Sequence, residues 1–336
     1  MKKASKGGRR PTRKAKVTGF GLMAGAGMTA WRRRRQRDHL RPFLEWDGPS
    51  DAAVDVGVAR IVLPIRYWRT DCFLGVFPAD YGAVRDMLPS SRLHPMRLLG
   101  SKAAIAVVAY DYIETGVGPY GEIGLVPLCT LDRAAPPMLP LLQDRWRGIG
   151  GFVAHLPVTS RVACEAGRSI WGYPKFVADM AFDVSPERQE VTLAEAGREI
   201  LRLGVRRAGR VALERAPLTT FTVRGDRLIR TTVALRGYVA LSVGGSGGEL
   251  TLGDHPVGRE LAALGLGTRP VVTKTYLTHT AILPAGDDIG PADRPYTGYE
   301  GEPREVGTHT IRYDDDMVRV VTQAEKATAA MAEGGE

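Results

Sequence analysis

Cysteine is scarce in this chain: Cys72, Cys129 and Cys164 are the only three in 336 residues. They lie far apart and are odd in number, which excludes a disulfide framework and a cysteine-based metal site. So few thiols fit a reducing, cytoplasmic setting. The six histidines are scattered, with no pair at zinc-ligand spacing, so no metal is expected. A long apolar run is also missing. The uncharged stretch 17–31 would span about 22 Å as a helix, short of the roughly 30 Å of a bilayer core. The arginines directly after it oppose export. Arg9-Arg10 is followed by Pro-Thr-Arg-Lys rather than by the hydrophobic continuation of a twin-arginine signal. Helix signals are few and no internal repeat is visible, which argues against a doubly wound parallel sheet.

Acidic residues are nearly absent from the N-terminus. Residues 1–45 hold 14 Lys/Arg against Asp38 and Glu45, a net of +12, whereas the whole chain carries +9. The remainder is therefore mildly acidic, at −3. A nucleic-acid partner inferred from total charge would be a mistake, and no specific one is expected. Residues 1–50 read as a flexible basic tail suited to weak contact with an anionic membrane surface or an acidic partner.

From about residue 60, short β-branched runs alternate with Gly and Pro. Residues 61–68, 103–113, 123–131, 151–162, 176–184, 190–193, 200–205, 218–223, 228–243 and 271–283 read as strands. Arg224-Gly225-Asp226 reads as a hairpin turn. Asp80 is placed to cap a short helix ending before Pro89, and Asp254 with Pro256 opens another that stops at Gly265. Residues 285–305 read as a long loop, 308–313 and 317–322 as a further hairpin, and 323–336 as a frayed helical end. The expected class is α+β, mainly antiparallel β, as a curved sheet or barrel with a few short helices. The expected organisation is a barrel domain over 51–290 and a C-terminal extension over 291–336.

Two glycine motifs mislead. Gly116-Val-Gly-Pro-Tyr-Gly121 matches a dinucleotide fingerprint by letters, but Pro119 and a strand follow it instead of a helix, so no nucleotide cofactor is implied. Gly244-Gly-Ser-Gly-Gly248 spells a nucleophile elbow without the strand-to-helix turn that elbow needs.

The informative stretch is Gly167-Arg-Ser-Ile-Trp-Gly-Tyr-Pro-Lys-Phe176. It sets Lys175 among aromatic and aliphatic neighbours, with no carboxylate after it until Asp179. Such surroundings strip hydration from an ammonium group and favour the neutral amine. A neutral amine attacks ketones and forms Schiff bases. Lysines beside apolar residues also snorkel to water from a strand's wet face, so composition alone leaves both readings open.

With Tyr120-Gly121-Glu122 some fifty residues upstream, the lysine segment resembles the acetoacetate decarboxylase superfamily. Its members carry Gly-Arg-Glu-x-x-x-Phe/Tyr-Pro-Lys-Lys and a Tyr-x-Glu element. Segments 61–89 and 276–284 are also similar, and the likeness spans roughly 58–286. It implies a cone-shaped antiparallel barrel with a closed hydrophobic cavity, Lys175 as the Schiff-base lysine and Glu122 as the cavity carboxylate. It also implies a homo-oligomer and no cofactor. Two departures stand out. Phe176 replaces the second lysine, the neighbouring cation by which acetoacetate decarboxylase itself illustrates lysine activation. Val107 falls about where a further glutamate is expected. Arg69 lies close to the family's first-strand arginine.

The expected activity is carbon–carbon lyase chemistry: decarboxylation of an acetoacetate-like β-keto acid through a lysine imine and enamine. An aldolase–dehydratase acting on pyruvate-like α-keto acids is the alternative, with Arg69 or Arg168 holding the carboxylate. A non-catalytic binding barrel is the third reading. Tyr120, Arg69, Trp171, Tyr173 and Phe176 are the candidate substrate contacts. For the aromatic ones, core packing is an equal explanation.

Overall fold

The computed structural model describes residues 52–137, 149–313 and 318–320. A hairpin of β1 (Ala52–Asp55) and β2 (Arg60–Leu63) leads into β3 (Ile65–Asp80), α1 (Tyr81–Met87) and β4 (Leu93–Pro95). Then come β5 (Lys102–Thr115), β6 (Tyr120–Leu131), β7 (Ile149–Phe152) and α2 (Arg161–Ala166). They are followed by β8 (Asp179–Val184), β9 (Arg188–Glu195), β10 (Arg198–Arg206), β11 (Arg210–Glu214), β12 (Leu218–Arg224) and β13 (Arg227–Val243). The chain continues through β14 (Gly248–Leu252), α3 (Pro256–Ala263), β15 (Val272–Leu283), β16 (Asp287–Pro291), β17 (His309–Tyr313) and β18 (Val318–Val320).

Seven strands close a barrel in the order β3, β5, β6, β7, β12, β13, β15, with β15 pairing back onto β3. All these pairs are antiparallel except β7 with β12. A second sheet runs β14-β10-β9-β8-β17-β18. The fold is thus the mainly antiparallel barrel with short helices that the sequence predicts.

The apolar run 103–109 in β5 shows why strand pattern and layering agree. Every residue in it is buried. Ala103, Ile105, Val107 and Ala109 join the core shared with Phe182, Val191, Leu193, Leu201 and Leu203 of the second sheet. Ala104, Ala106 and Val108 turn the other way, towards Cys72, Val76, Leu235, Val239 and Tyr276 from the surrounding barrel strands. A strand covered on both faces needs no polar alternation.

Asp80 caps α1 as expected, its Oδ1 accepting the Ala83 N–H at 2.9 Å. The cap of α3 is His255 instead of Asp254, with Pro256 in the first turn. The predicted strand 151–162 ends at Phe152. Beyond it His155 and Val158 make only isolated bridges, and Ser160 caps the unpredicted α2 by accepting from Ala163 at 3.3 Å. Beyond residue 290 the chain returns along the body. Tyr296 and Tyr299 pack on the main core, and β17 pairs in parallel with β8. Residues 309–313 and 318–320 form the expected hairpin. The basic tail 1–50 and the end 323–336 lie outside the described residues. Among those described, no helix is long and apolar enough to cross a membrane.

Candidate active site

Lys175 is set by a chain reversal at the end of α2. Residues 167–171 continue that helix as a wider turn, and Tyr173 N–H donates to Gly167 O at 3.0 Å. Gly172 ends it with φ +68, in the left-handed region that glycine adopts most readily; a Cβ there would sit 2.4 Å from Val223 O. Pro174 and Lys175 then run extended beside 156–158: Leu156 N–H donates to Pro174 O at 3.0 Å, and Val158 N–H to Phe176 O at 2.9 Å. The Lys175 carbonyl is taken from the other side by Arg168 Nε at 2.6 Å.

The lysine stem lies flat over Gly167, where an added Cβ would meet Cδ at 2.5 Å and Cε at 2.6 Å. Its amine reaches Glu122 Oε2 at 2.7 Å, and the two side chains are only 6% and 8% exposed. Glu122 is held on its other oxygen by Tyr112 OH, which donates to Oε1 at 3.2 Å. Tyr110 and Tyr112 of β5 stand directly opposite Glu122 and Tyr120 of β6. The rings of Tyr120 and Tyr173 lie 5.6 and 5.9 Å from Nζ, within cation–π range.

The amine borders a cavity lined by Ile65, Tyr67, Tyr120, Trp171, Tyr173 and Leu283 among others, with about 10 Å³ open to a water centre, room for roughly one water. Trp171 Nε1 donates to Pro284 O at 2.8 Å and Tyr173 OH bonds Thr220 Oγ1 at 2.9 Å, so both polar tips are engaged elsewhere. Tyr67 OH and Tyr120 OH are 3.2 Å apart. One of them donates to the other, leaving one phenolic hydrogen for a ligand. Burial pushes both phenols well up, with the Glu122 charge adding to the rise, so each stays protonated. Burial likewise raises Tyr173 to about 12 and lifts the Cys164 thiol.

Of the candidates from sequence, Lys175, Tyr120, Trp171 and Tyr173 line the cavity, and Glu122 bonds the amine. Two do not join them. Phe176 points the opposite way from Lys175, into the main core, edge-on to Tyr299 at 5.0 Å. Arg69 is exposed. Register shifts in β3 between Tyr67 and Thr70 leave Trp68 and Arg69 both outward, and the buried neighbour is neutral Thr70. Arg168 binds backbone carbonyls. Val107 belongs to the core facing the second sheet. Sequence reasoning missed Tyr67 and Tyr112. The alternation Tyr110-Asp-Tyr112 opposite Tyr120-Gly-Glu122 was the signal available for Tyr112. Among the described residues no cluster of three His, Cys, Asp or Glu side chains could hold a metal.

The site is thus a lysine–carboxylate pair buried against protonated phenols within a closed antiparallel barrel. The acetoacetate decarboxylase family model matches residues 56–287, and the chain belongs to that family. No curated protein matches it. Among solved structures, the acetoacetate decarboxylase from Legionella pneumophila is similar at 17% identity and TM-score 0.52, over 73% of this chain and 93% of that one. The enduracididine biosynthesis enzyme MppR complexed with pyruvate is similar at 16% identity and TM-score 0.53, over 68% and 91%. At such identities the likeness is one of fold.

Proposed function

We propose that the protein is a lysine-imine lyase that decarboxylates a small β-keto acid. The observation that carries this reading is the buried Lys175–Glu122 pair, 2.7 Å apart at the wall of a small apolar cavity. Glu122 is placed to take the proton that Lys175 must lose before its amine adds to the substrate ketone. The Tyr67–Tyr120 pair donates a hydrogen bond to the carbinolamine oxygen, which takes the proton held by Glu122 and leaves as water. In the resulting iminium the electrons of the C–CO2 bond move into the C=N+ system. CO2 departs, an enamine remains, and a proton taken up from solvent through Glu122 converts it to the product iminium, which water hydrolyses to the ketone and the protonated amine of Lys175.

The surroundings of the amine bear on the choice of reaction. Among the described residues, Lys175 is the one cation lining the cavity. A carboxylate held among apolar walls without a cation is poorly solvated, and loss of CO2 relieves that state. A pyruvate aldolase keeps its substrate's carboxylate throughout and gains from an arginine. Arg69 and Arg168 are not positioned to give that contact. The pyruvate complex of MppR, a fold relative, makes pyruvate the competitor to test.

Borohydride trapping tests the proposal. Purified protein is incubated with acetoacetate or with pyruvate and reduced, and the adduct is mapped by mass spectrometry with Lys175→Ala as control. CO2 release is followed in parallel. An acetoacetate adduct on Lys175 with CO2 release is the expected result. Trapping by pyruvate alone moves the assignment to aldol chemistry. No adduct across a panel of keto acids leaves a binding barrel.

A further inference from the structure

Residues 296–302, in the connection from β16 to β17, pass directly over the residues that flank Lys175. Gly298 sits at φ +69, and a Cβ there would lie 2.6 Å from Pro174 Cβ. Gly301 sits at φ +78, and a Cβ there would lie 2.6 Å from Phe176 Cβ and 2.9 Å from Glu195 Oε1. Between these two close approaches, Tyr299 meets the Phe176 ring edge-on at 5.0 Å. The carbonyl of Glu300 accepts from Arg168 Nη2 at 2.7 Å, and the same guanidinium donates through Nε to the Lys175 carbonyl at 2.6 Å. One planar side chain therefore ties the strap to the backbone of the lysine.

The strap is itself anchored. Glu195, fully buried at the end of β9, accepts from Tyr299 OH at 2.7 Å and from the Glu302 N–H at 2.9 Å. His255 Nε2 lies 2.9 Å from the same carboxylate, and its Nδ1 accepts from Val257 N–H at 3.2 Å. That capping bond assigns the imidazole proton to Nε2, so His255 donates to Glu195. Tyr296 OH donates to Ala154 O at 3.0 Å, fixing the near end of the strap. None of these residues lines the cavity.

We propose that Arg168, Tyr299, Gly301 and Glu195 form a positioning clamp that fixes the Lys175 backbone and thereby holds its amine against Glu122. The proposal rests on Lys175 being the nucleophile. The physical need is plain. Lys175 lies in no strand, and its carbonyl faces away from the 156–158 segment that orders its neighbours. A lysine side chain has many rotamers open to it, so its amine needs a fixed backbone to be held in one place. A misplacement of about 1 Å costs on the order of 10²-fold in rate. The strap supplies the constraint that the local turn lacks.

The test compares Gly301→Ala with Gly57→Ala. Gly57 is an exposed turn glycine at φ +83, and a methyl added there meets nothing within 4 Å, so the two substitutions share backbone strain and differ in the collision with Phe176 and Glu195. The readouts are kcat and KM for decarboxylation and the acetylation rate of Lys175 by acetic anhydride, referenced to exposed Lys102 by mass spectrometry. Gly301→Ala is expected to lower kcat at least about tenfold with KM changed less than about threefold, and to shift the Lys175 to Lys102 ratio. Gly57→Ala is expected to lower the melting temperature and leave kcat and the ratio alone. Equal kcat for the two variants, with an unchanged ratio, overturns the clamp. If the wild-type protein decarboxylates nothing, the functional reading fails, and the acetylation ratio still decides the clamp. If Gly301→Ala does not fold, Tyr299→Phe, which removes only the hydroxyl on Glu195, is judged by the same readouts and limits.

Discussion

Replacing Gly167 by alanine isolates the packing of Lys175 from the chemistry of its neighbours. The new methyl would sit 2.5 Å from Lys175 Cδ, 2.6 Å from Cε and 3.3 Å from Cγ. Non-bonded carbons settle about 3.5–4.0 Å apart, so the stem must move by about 1 Å. The opposite wall is filled by Tyr120, Trp171 and Tyr173, and the movement carries the amine off its 2.7 Å contact with Glu122. A displacement of that size predicts a loss on the order of 10²-fold in kcat. Stability responds far less. Gly167 has φ −63 and ψ −44, so alanine gains up to about 1 kcal/mol in helix propensity, against about 1–3 kcal/mol for overpacking. Steady-state decarboxylation and thermal melting, measured on the same preparation, separate the two effects. A folded Gly167→Ala protein with kcat within about threefold of wild type would refute the idea that the lysine's placement over this glycine sets the rate.

Removing the amine alone, as in Lys175→Met, strands the Glu122 carboxylate in the interior and is expected to cost about 3–5 kcal/mol. The double variant Lys175→Met/Glu122→Gln is expected to recover more than about 1 kcal/mol of that in denaturant titration. Equal stability of single and double variants would count against a buried charged pair. Tyr67, Tyr110, Tyr112, Tyr120 and Tyr276 all have phenols raised by burial. Below the ordinary tyrosine value of about 10 both folded and unfolded chains keep these protons. Above it the unfolded chain loses them first, so stability falls as pH rises towards the folded values. Phenolate absorbance from these five is therefore expected to appear together with loss of structure, and ionisation within an intact fold would contradict their burial.

How far the sequence discloses this site depends on the range of the interaction concerned. Lys175 stands out because its neighbours within ten residues are the apolar groups that surround it in space. The barrel strands are legible where one run fills one strand, as at 103–113. Residues 151–162 look the same by composition, yet they leave the ladder after Phe152 and Ser160 opens α2. Arg69 misleads because a register shift in β3 reverses the inward and outward faces, which no period-two count detects. Tyr67 acquires meaning only once β3 and β6 face one another across the cavity. The strap at 296–302 reads as a glycine-rich loop, since its close approaches to Pro174 and Phe176 are made across more than a hundred residues of chain.

The size of the chamber has a kinetic consequence. A space with room for about one water cannot take in a keto acid by simple diffusion. On the proposed lyase reading, entry of a keto acid requires the lining side chains to move apart, and alignment of the amine follows their return. Association should then be slower than encounter alone allows, with a rate that saturates as substrate concentration rises, because the opening step becomes limiting. On that reading, the same tight fit limits bulk water at the enamine and favours protonation through Glu122.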